Sequence, residues 1–442
     1  MRTRVGALVV VVGLLAAACG SRTDDQAVVA QGGVPDSTDQ AGEPSESTIE
    51  SPCGEGDASG ATDIGVTDDS ITIANIADIE VPGVPGLFQQ NQEAMEAFVA
   101  YCNSLGGVNG RELVLDTLDS KLTEHLQAVE KACKNAFAMV GNGSLFDDAG
   151  LPAQLECGIP SVPGITGSPA ASGDTTLMVQ PLPNPPDSWV KGPGLYVIDE
   201  APNAAENAAM FAAPSAARQQ ADLQVDIYEQ IGFDWVIDDD IGIGESTTDW
   251  QPRVKSMKDK GAEYVYVQAE DVDLANFLLE AETQGYAPEW IDAGQQVYTD
   301  AFLEAAGSTA EGVHVYVTTV PFEEAGTSEM LQTYLDWIEK TTPGASPDAL
   351  SVQSWSAGLL FATAAKALGS DLTREGLMDE LHSITEWDGL GMHVPTNPGE
   401  NIGTDCFMYV QVQDGEFVRE FPEEGFECIE GNRLPRVEQE LK

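Results

Sequence analysis

Residues 66–119 read VTDDSITIANIADIEVPGVPGLFQQNQEAMEAFVAYCNSLGGVNGRELVLDTLD, and this stretch decides the fold. Ile71, Ile73 and Ile76 stand in a short apolar run at 70–78 that fits a buried strand. A Gly/Pro-rich turn follows at 81–86. Ala94, Phe98, Tyr101, Cys102 and Leu105 then recur at helical spacing and give one apolar face. Gly106 and Gly107 end that helix, because glycine accepts the left-handed conformation without a Cβ penalty. Asn109-Gly110 turns the chain, and ELVLD at 112–116 reads as a second strand. Strand, helix and strand in this order form one parallel crossover, the unit of a doubly wound α/β sheet.

The wording GVTDDSITIANIAD followed by LGGVNGRELVLD resembles the leucine/isoleucine/valine-binding protein family, the extracytoplasmic receptors of ABC importers, over about residues 65–428. The resemblance implies a two-lobed type 1 periplasmic-binding-protein fold. Each lobe would be a doubly wound, mainly parallel sheet flanked by helices, with three interlobe crossovers. It also implies a small polar organic ligand (a branched-chain amino acid, an amide or a related compound), a permease partner, a monomer and no cofactor. A ligand-sensing receptor of the same fold, signalling to a membrane partner without transport, is the alternative.

Composition narrows the partners. The 442 residues include 73 acidic and 20 basic side chains, a formal net charge of −53. Such a surface repels nucleic acid and anionic lipid headgroups and suits solubility or a saline habitat. At the N-terminus, Arg2 and Arg4 precede a small or apolar run at 5–18, too short to span a bilayer and patterned as a secretory signal. Its end, LAAAC, resembles a bacterial lipoprotein processing site. By that resemblance lipid is carried on Cys19, the membrane is touched through that lipid only, and the protein is displayed on the outer face of the cytoplasmic membrane. Ordinary cleavage beside an unmodified cysteine is the alternative. Residues 19–62 are polar and almost lack large apolar side chains, the composition of a flexible tether.

The expected organisation is signal 1–18, linker 19–62, lobe one at 63–183 and 320–386, lobe two at 184–319 and 387–430, and a tail at 431–442. Helices are expected at 123–136, 151–157, 218–231, 250–260, 274–284, 328–341, 348–368 and 374–383. Strands are expected at 137–140, 159–162, 207–213, 235–240, 264–268, 290–292 and 312–319. Alternation around Asp414-Gly415 predicts a terminal hairpin. Apart from Cys19, six cysteines in an exported chain allow 15 disulfide pairings. Consecutive right-handed crossovers put the second and third helices on one sheet face, which favours Cys133–Cys157. Cys406–Cys428 would close the hairpin, leaving Cys53–Cys102.

Ligands of open parallel sheets bind outside the carboxyl ends of the strands, which selects loops 80–90, 142–147 and 164–168 in lobe one. In lobe two it selects 242–250, 269–273 and 294–298. Ser144, preceded by glycines, offers a hydroxyl and adjacent N–H groups for an anionic head, and the family places a binding serine near it. Leu145 and Phe146 are cleft wall or core, and Thr166 stands near the family's second hydroxyl contact. Gln268, Glu270 and Asp271 follow strand YVYVQ, where a carboxylate would neutralise a ligand ammonium. The next strand leads to Gln295, Gln296 and Tyr298; a glutamine there holds a neutral or amide group without countercharge. Phe88 and Trp250 are candidate apolar walls.

Catalytic motifs are missing. The sequence has no G-x-S-x-G, H-E-x-x-H or phosphate loop, and His125, His314, His382 and His393 are scattered. No cysteine and histidine spacing suits zinc, and Asp238-Asp239-Asp240 lacks the periodicity of a calcium loop. The reading is a non-enzymatic, metal-free binding protein.

Overall fold

The computed structural model describes residues 50–81, 85–213, 216–242 and 244–436. The signal segment, Cys19 and most of the expected tether lie outside the described residues. In lobe one, β1 (Ser70–Ala77) is flanked by β2 (Glu112–Asp119) and β3 (Ala138–Val140), with β4 (Ser161–Val162) beyond β3, all parallel. The period-2 pleat sends Ile71 and Ile73 to one core and Ala74 and Ile76 to another. Helix α1 (Gln89–Ser104) covers the first face, and α2 (His125–Asn135) and α3 (Leu151–Cys157) the second; α4 (Pro169–Ser172) is a single turn. At Gly107 (φ +77°) a Cβ would stand 1.9 Å from the Arg111 carbonyl oxygen, so only glycine makes this turn.

Lobe two begins with β5 (Ser188–Val190), α5 (Gly192–Glu200) and α6 (Pro202–Ala205). Alternation follows through β6 (Ala208–Ala212), α7 (Ala216–Ile231), β7 (Trp235–Asp240), α8 (Thr247–Lys260), β8 (Tyr264–Gln268) and α9 (Asp271–Gln284). It ends with β9 (Trp290–Gly294), α10 (Asp300–Ala306) and β10 (His314–Val317). The chain then returns to lobe one as α11 (Glu329–Thr341), α12 (Ala349–Leu368) and α13 (Arg374–Ser383). Helix α12 is apolar nearly all round because it is enclosed nearly all round, beside α1. The hairpin β11 (Cys406–Gln413) and β12 (Glu416–Phe421) completes a sheet of order β12-β11-β10-β9-β8-β6-β7, and β13 (Glu427–Cys428) pairs with β11. Asp414 and Gly415 both have positive φ, as the tight hairpin turn requires.

Three disulfides form, Cys53–Cys102, Cys133–Cys157 and Cys406–Cys428, in agreement with the topological argument. Three boundaries differ from expectation. Residues 53–62 are not free: Cys53 is buried, the Gly54 N–H donates to the Gly107 carbonyl at 2.7 Å, and Thr62 donates to the Leu372 carbonyl. Lacking large apolar side chains apart from the bridged cysteine, the segment is held by backbone and side-chain hydrogen bonds and a covalent bond. The expected handover at 387 comes later, since Trp387 and Met392 belong to the lobe-one core. The expected tail contains β14 (Arg433–Pro435), antiparallel to β5 with Arg433 opposite Val190. The sequence also gave no sign of α5; its Pro193 lies in the first turn, where the missing N–H has no helical partner to lose.

Candidate functional site

The two lobes are joined at 180–187, 317–321 and 394–405. The passages are stitched together: Val394 N–H donates to the Thr318 carbonyl at 2.8 Å, Val320 N–H to Met392 at 2.9 Å, and the Thr396 hydroxyl to Pro181 at 2.7 Å. Beside this stitch lies a cavity of about 240 Å³ lined from both lobes. Lobe one supplies Phe88 ahead of α1, Leu145 after β3, Ile165 and Thr166 after β4, and Leu350 and Gln353 from the first turns of α12. Lobe two supplies Trp189 and Val190 from β5, Tyr266 and Gln268 from β8, Glu270, the 294–296 loop, Tyr316 from β10 and Thr318 just after it, and Arg433 from β14. The crossover adds Gln180, Leu182 and Asn184. Aromatic and aliphatic side chains share the walls with many polar ones, among them Gln180, Gln220, Gln268, Gln295, Gln296 and Gln353.

Of the residues singled out in the sequence, Phe88, Leu145, Thr166, Gln268, Glu270, Gln295 and Gln296 meet at this cavity. Ser144 does not. It is 2% exposed and faces inward, its hydroxyl 3.1 Å from Asp78 Oδ2 and 3.1 Å from His125 Nδ1. Asp78 is fully buried at the end of β1 and takes donors from Ser120, Leu122, Ser144 and Leu145. A buried carboxylate needs such donors, and Ser144 is one of them. Phe146 is 41% exposed and outside the cavity. Trp250 is wholly buried between Phe211 and Phe277, and Tyr298 is buried, stacked on Phe322 with its hydroxyl donating to Glu323. Both are core.

The polar groups divide into those already partnered and those not. The Thr166 hydroxyl donates to Asn184 Oδ1 at 2.6 Å, with Gln180 Oε1 at 3.1 Å. Gln268 donates to Gln220, and Gln295 Oε1 accepts from the Thr318 hydroxyl at 2.8 Å, leaving its amide N–H groups available. By contrast Gln353, 5% exposed, and Tyr266, 4% exposed, have no side-chain hydrogen-bond partner among the described residues. One comes from each lobe, and both reach the cavity. Glu270 is partly buried, and its carboxyl is pushed up to about 7 by burial, with repulsion from Asp271, Asp273 and Asp348 adding to the effect.

Gln353, Tyr266 and Arg433 were not singled out from the sequence. Gln353 carried a faint signal, the one amide in LSVQSWSAG, a run whose other polar residues are three serines. Tyr266 carried another, since alternation in YVYVQ puts it on the face of Gln268. Arg433 carried none, as nothing local predicts that its strand reaches the cleft.

Comparison with solved structures finds the same architecture. A leucine-binding protein of Thermotoga maritima is 16% identical, with TM-score 0.67 over 82% of this chain and 99% of its own. A fatty acid ABC transporter substrate-binding protein of Thermomonospora curvata is 18% identical, with TM-score 0.70 over 86% and 97%. A branched-chain amino acid transporter substrate-binding protein of Streptococcus pneumoniae, solved with isoleucine, is 16% identical, with TM-score 0.65 over 82% and 99%. A comparison with curated proteins finds no match. The sequence pattern of the periplasmic binding protein family matches residues 70–416, and the chain therefore belongs to that family.

Proposed function

We propose that this protein is the extracytoplasmic solute-binding component of an ABC importer, trapping a small organic ligand between its lobes and delivering it to a permease. One observation carries the reading: Gln353 of lobe one and Tyr266 of lobe two are both more than nine-tenths buried, both lack a partner, and both face one interlobe cavity. Buried polar groups are ordinarily satisfied, and a ligand bridging the lobes would satisfy these two while favouring the closed arrangement. The similar structures named for leucine, branched-chain amino acids and fatty acids support a ligand with an apolar body, which suits the walls of this cavity. The reading needs no chemistry on the ligand. It includes action as a monomer and, from the sequence before residue 50, anchoring through lipid on Cys19.

The test is calorimetric titration of the exported domain with amino acids, short carboxylates and amides, on wild type and Gln353→Ala. The variant is expected to weaken the bound ligand by about tenfold or more, the loss of a hydrogen bond in a desolvated site. A ligand that binds both proteins equally would place recognition outside this cavity.

A further inference from the structure

Arg433 stands at this cavity for a reason that neither the lobe-one loops nor the β8–β9 loops supply. Strand β14 brings it there by pairing with β5, the first strand after the crossover. Its Nη2 donates to the Ser188 carbonyl at 2.6 Å, and Nε approaches the Ser188 hydroxyl at 3.3 Å. Nη1 has no partner among the described residues. No carboxylate lies within ion-pair distance of the guanidinium among those residues, although acids outnumber bases 73 to 20 in the chain. Its neighbours in sequence behave otherwise: Arg419 pairs with Glu324 and Arg436 with Asp226.

The backbone makes room for this head group. A Cβ on Gly403, in the third crossover, would stand 2.6 Å from Arg433 Nη1 and 2.7 Å from the Pro183 carbonyl oxygen. Any larger residue there would displace the guanidinium. Asp405 and Asp187 lie near Arg433 without pairing with its head group, Asp405 accepting the Arg433 backbone N–H at 3.2 Å, and Tyr316 lines the same cavity. The groups left unpartnered are rich in donors, namely the two Nη1 protons, the hydroxyls of Tyr266 and Tyr316 and the amides of Gln353 and Gln295, with the Glu270 carboxyl the one acid among them. An arginine has no acceptor, so another donor cannot satisfy it. The complement is an acceptor-only oxygen pair.

We propose that Arg433 is the anion anchor of the cleft, and that the ligand presents a carboxylate to it with an apolar body against the remaining walls. This rests on the cleft being the ligand site, as proposed above. It moves head-group recognition from the lobe-one hydroxyls, which Ser144 and Thr166 have committed to internal partners, to the C-terminal strand. The carboxylate belongs either to a simple organic acid or to an α-amino acid, whose ammonium would face Glu270.

The experiment titrates three probes of one carbon skeleton, 4-methylpentanoate, its primary amide and leucine, into wild type, Arg433→Gln and Gly403→Ala. Unliganded melting temperatures check the fold of each variant. At least one carboxylate probe is expected to bind wild type about 10- to 100-fold more tightly than the amide, and Arg433→Gln to remove that preference. Gly403→Ala, which keeps the arginine and displaces it, should lower carboxylate affinity in the same direction. Tighter binding of leucine than of 4-methylpentanoate identifies an amino acid as the source of the carboxylate, and the reverse a simple acid. Amide binding equal to or better than both carboxylates, or equal losses for all probes in Arg433→Gln, overturns the anchor and leaves the cleft reading intact. Failure of every probe to bind a well-folded wild type overturns the anchor, and the wider panel with Gln353→Ala then judges the cleft.

Discussion

Ser144 and Gln353 are both polar and both nearly inaccessible, yet they do opposite things. Ser144 helps to solvate Asp78 from within, and Gln353 is held at a cavity with its amide unused. The position of Ser144 after β3 was legible in the sequence. The direction of its side chain was not, because that direction follows from Asp78 and His125, which come from other elements. Asp292 makes the same point about charge. It is buried on β9 with the Tyr264 and Tyr409 hydroxyls donating to Oδ2 at 2.9 Å each, and no partner for Oδ1 among the described residues. Burial pushes its carboxyl up from 3.8 to about 7. A raised acid favours the folded state at low pH and withdraws that stability as pH climbs from about 4 to 7. Asp292→Asn removes the effect. Its stability relative to wild type is expected to rise by up to about 4 kcal/mol between pH 4 and pH 8, measured by urea unfolding at both ends. The difference cancels opposing contributions from His125 and His393, which burial pushes down to about 4. A pH-independent difference would contradict the assignment.

At the scale of elements, the alternation of strands and helices was readable because apolar period and glycine punctuation are local. The crossover β1–α1–β2, helices α3 and α13 and strands β7 and β8 stand where the pattern puts them. Elements specified by distant partners were not readable: β14 exists because β5 is available to pair with it, and β5 is only three residues long. The Cys133–Cys157 bridge joins α2 to α3 on the sheet face away from α1, far along the chain from every lobe-two contribution to the cavity. Replacing both cysteines by alanine is expected to lower unfolding stability by about 3 kcal/mol, the loop-closure value for a bridge of this span, without changing ligand affinity. Chemical denaturation beside calorimetric titration separates the two; a parallel loss of affinity would show that this face controls the cleft.

For the whole molecule, the net charge of −53 sets the conditions under which the fold is comfortable. Self-repulsion among surface carboxylates opposes compactness and is screened by salt over about 10 Å at 0.1 M. Melting temperature is expected to rise steadily from low ionic strength to about 1 M sodium chloride, followed by calorimetry at fixed pH. A flat response would mean that close acid pairs are already compensated.

The Cys53–Cys102 bridge fastens the first described residues to α1, and Ser51 adds hydrogen bonds to Tyr101 and Lys366, so this end of the described chain is held by lobe one. The crossovers and the cavity lie elsewhere, and neither Cys53 nor Cys102 lines the cleft. The C-terminal strand, by contrast, is clipped to lobe two through β5. If the segment before residue 50 moors the protein, as proposed above, its pull enters at lobe one and away from the cleft.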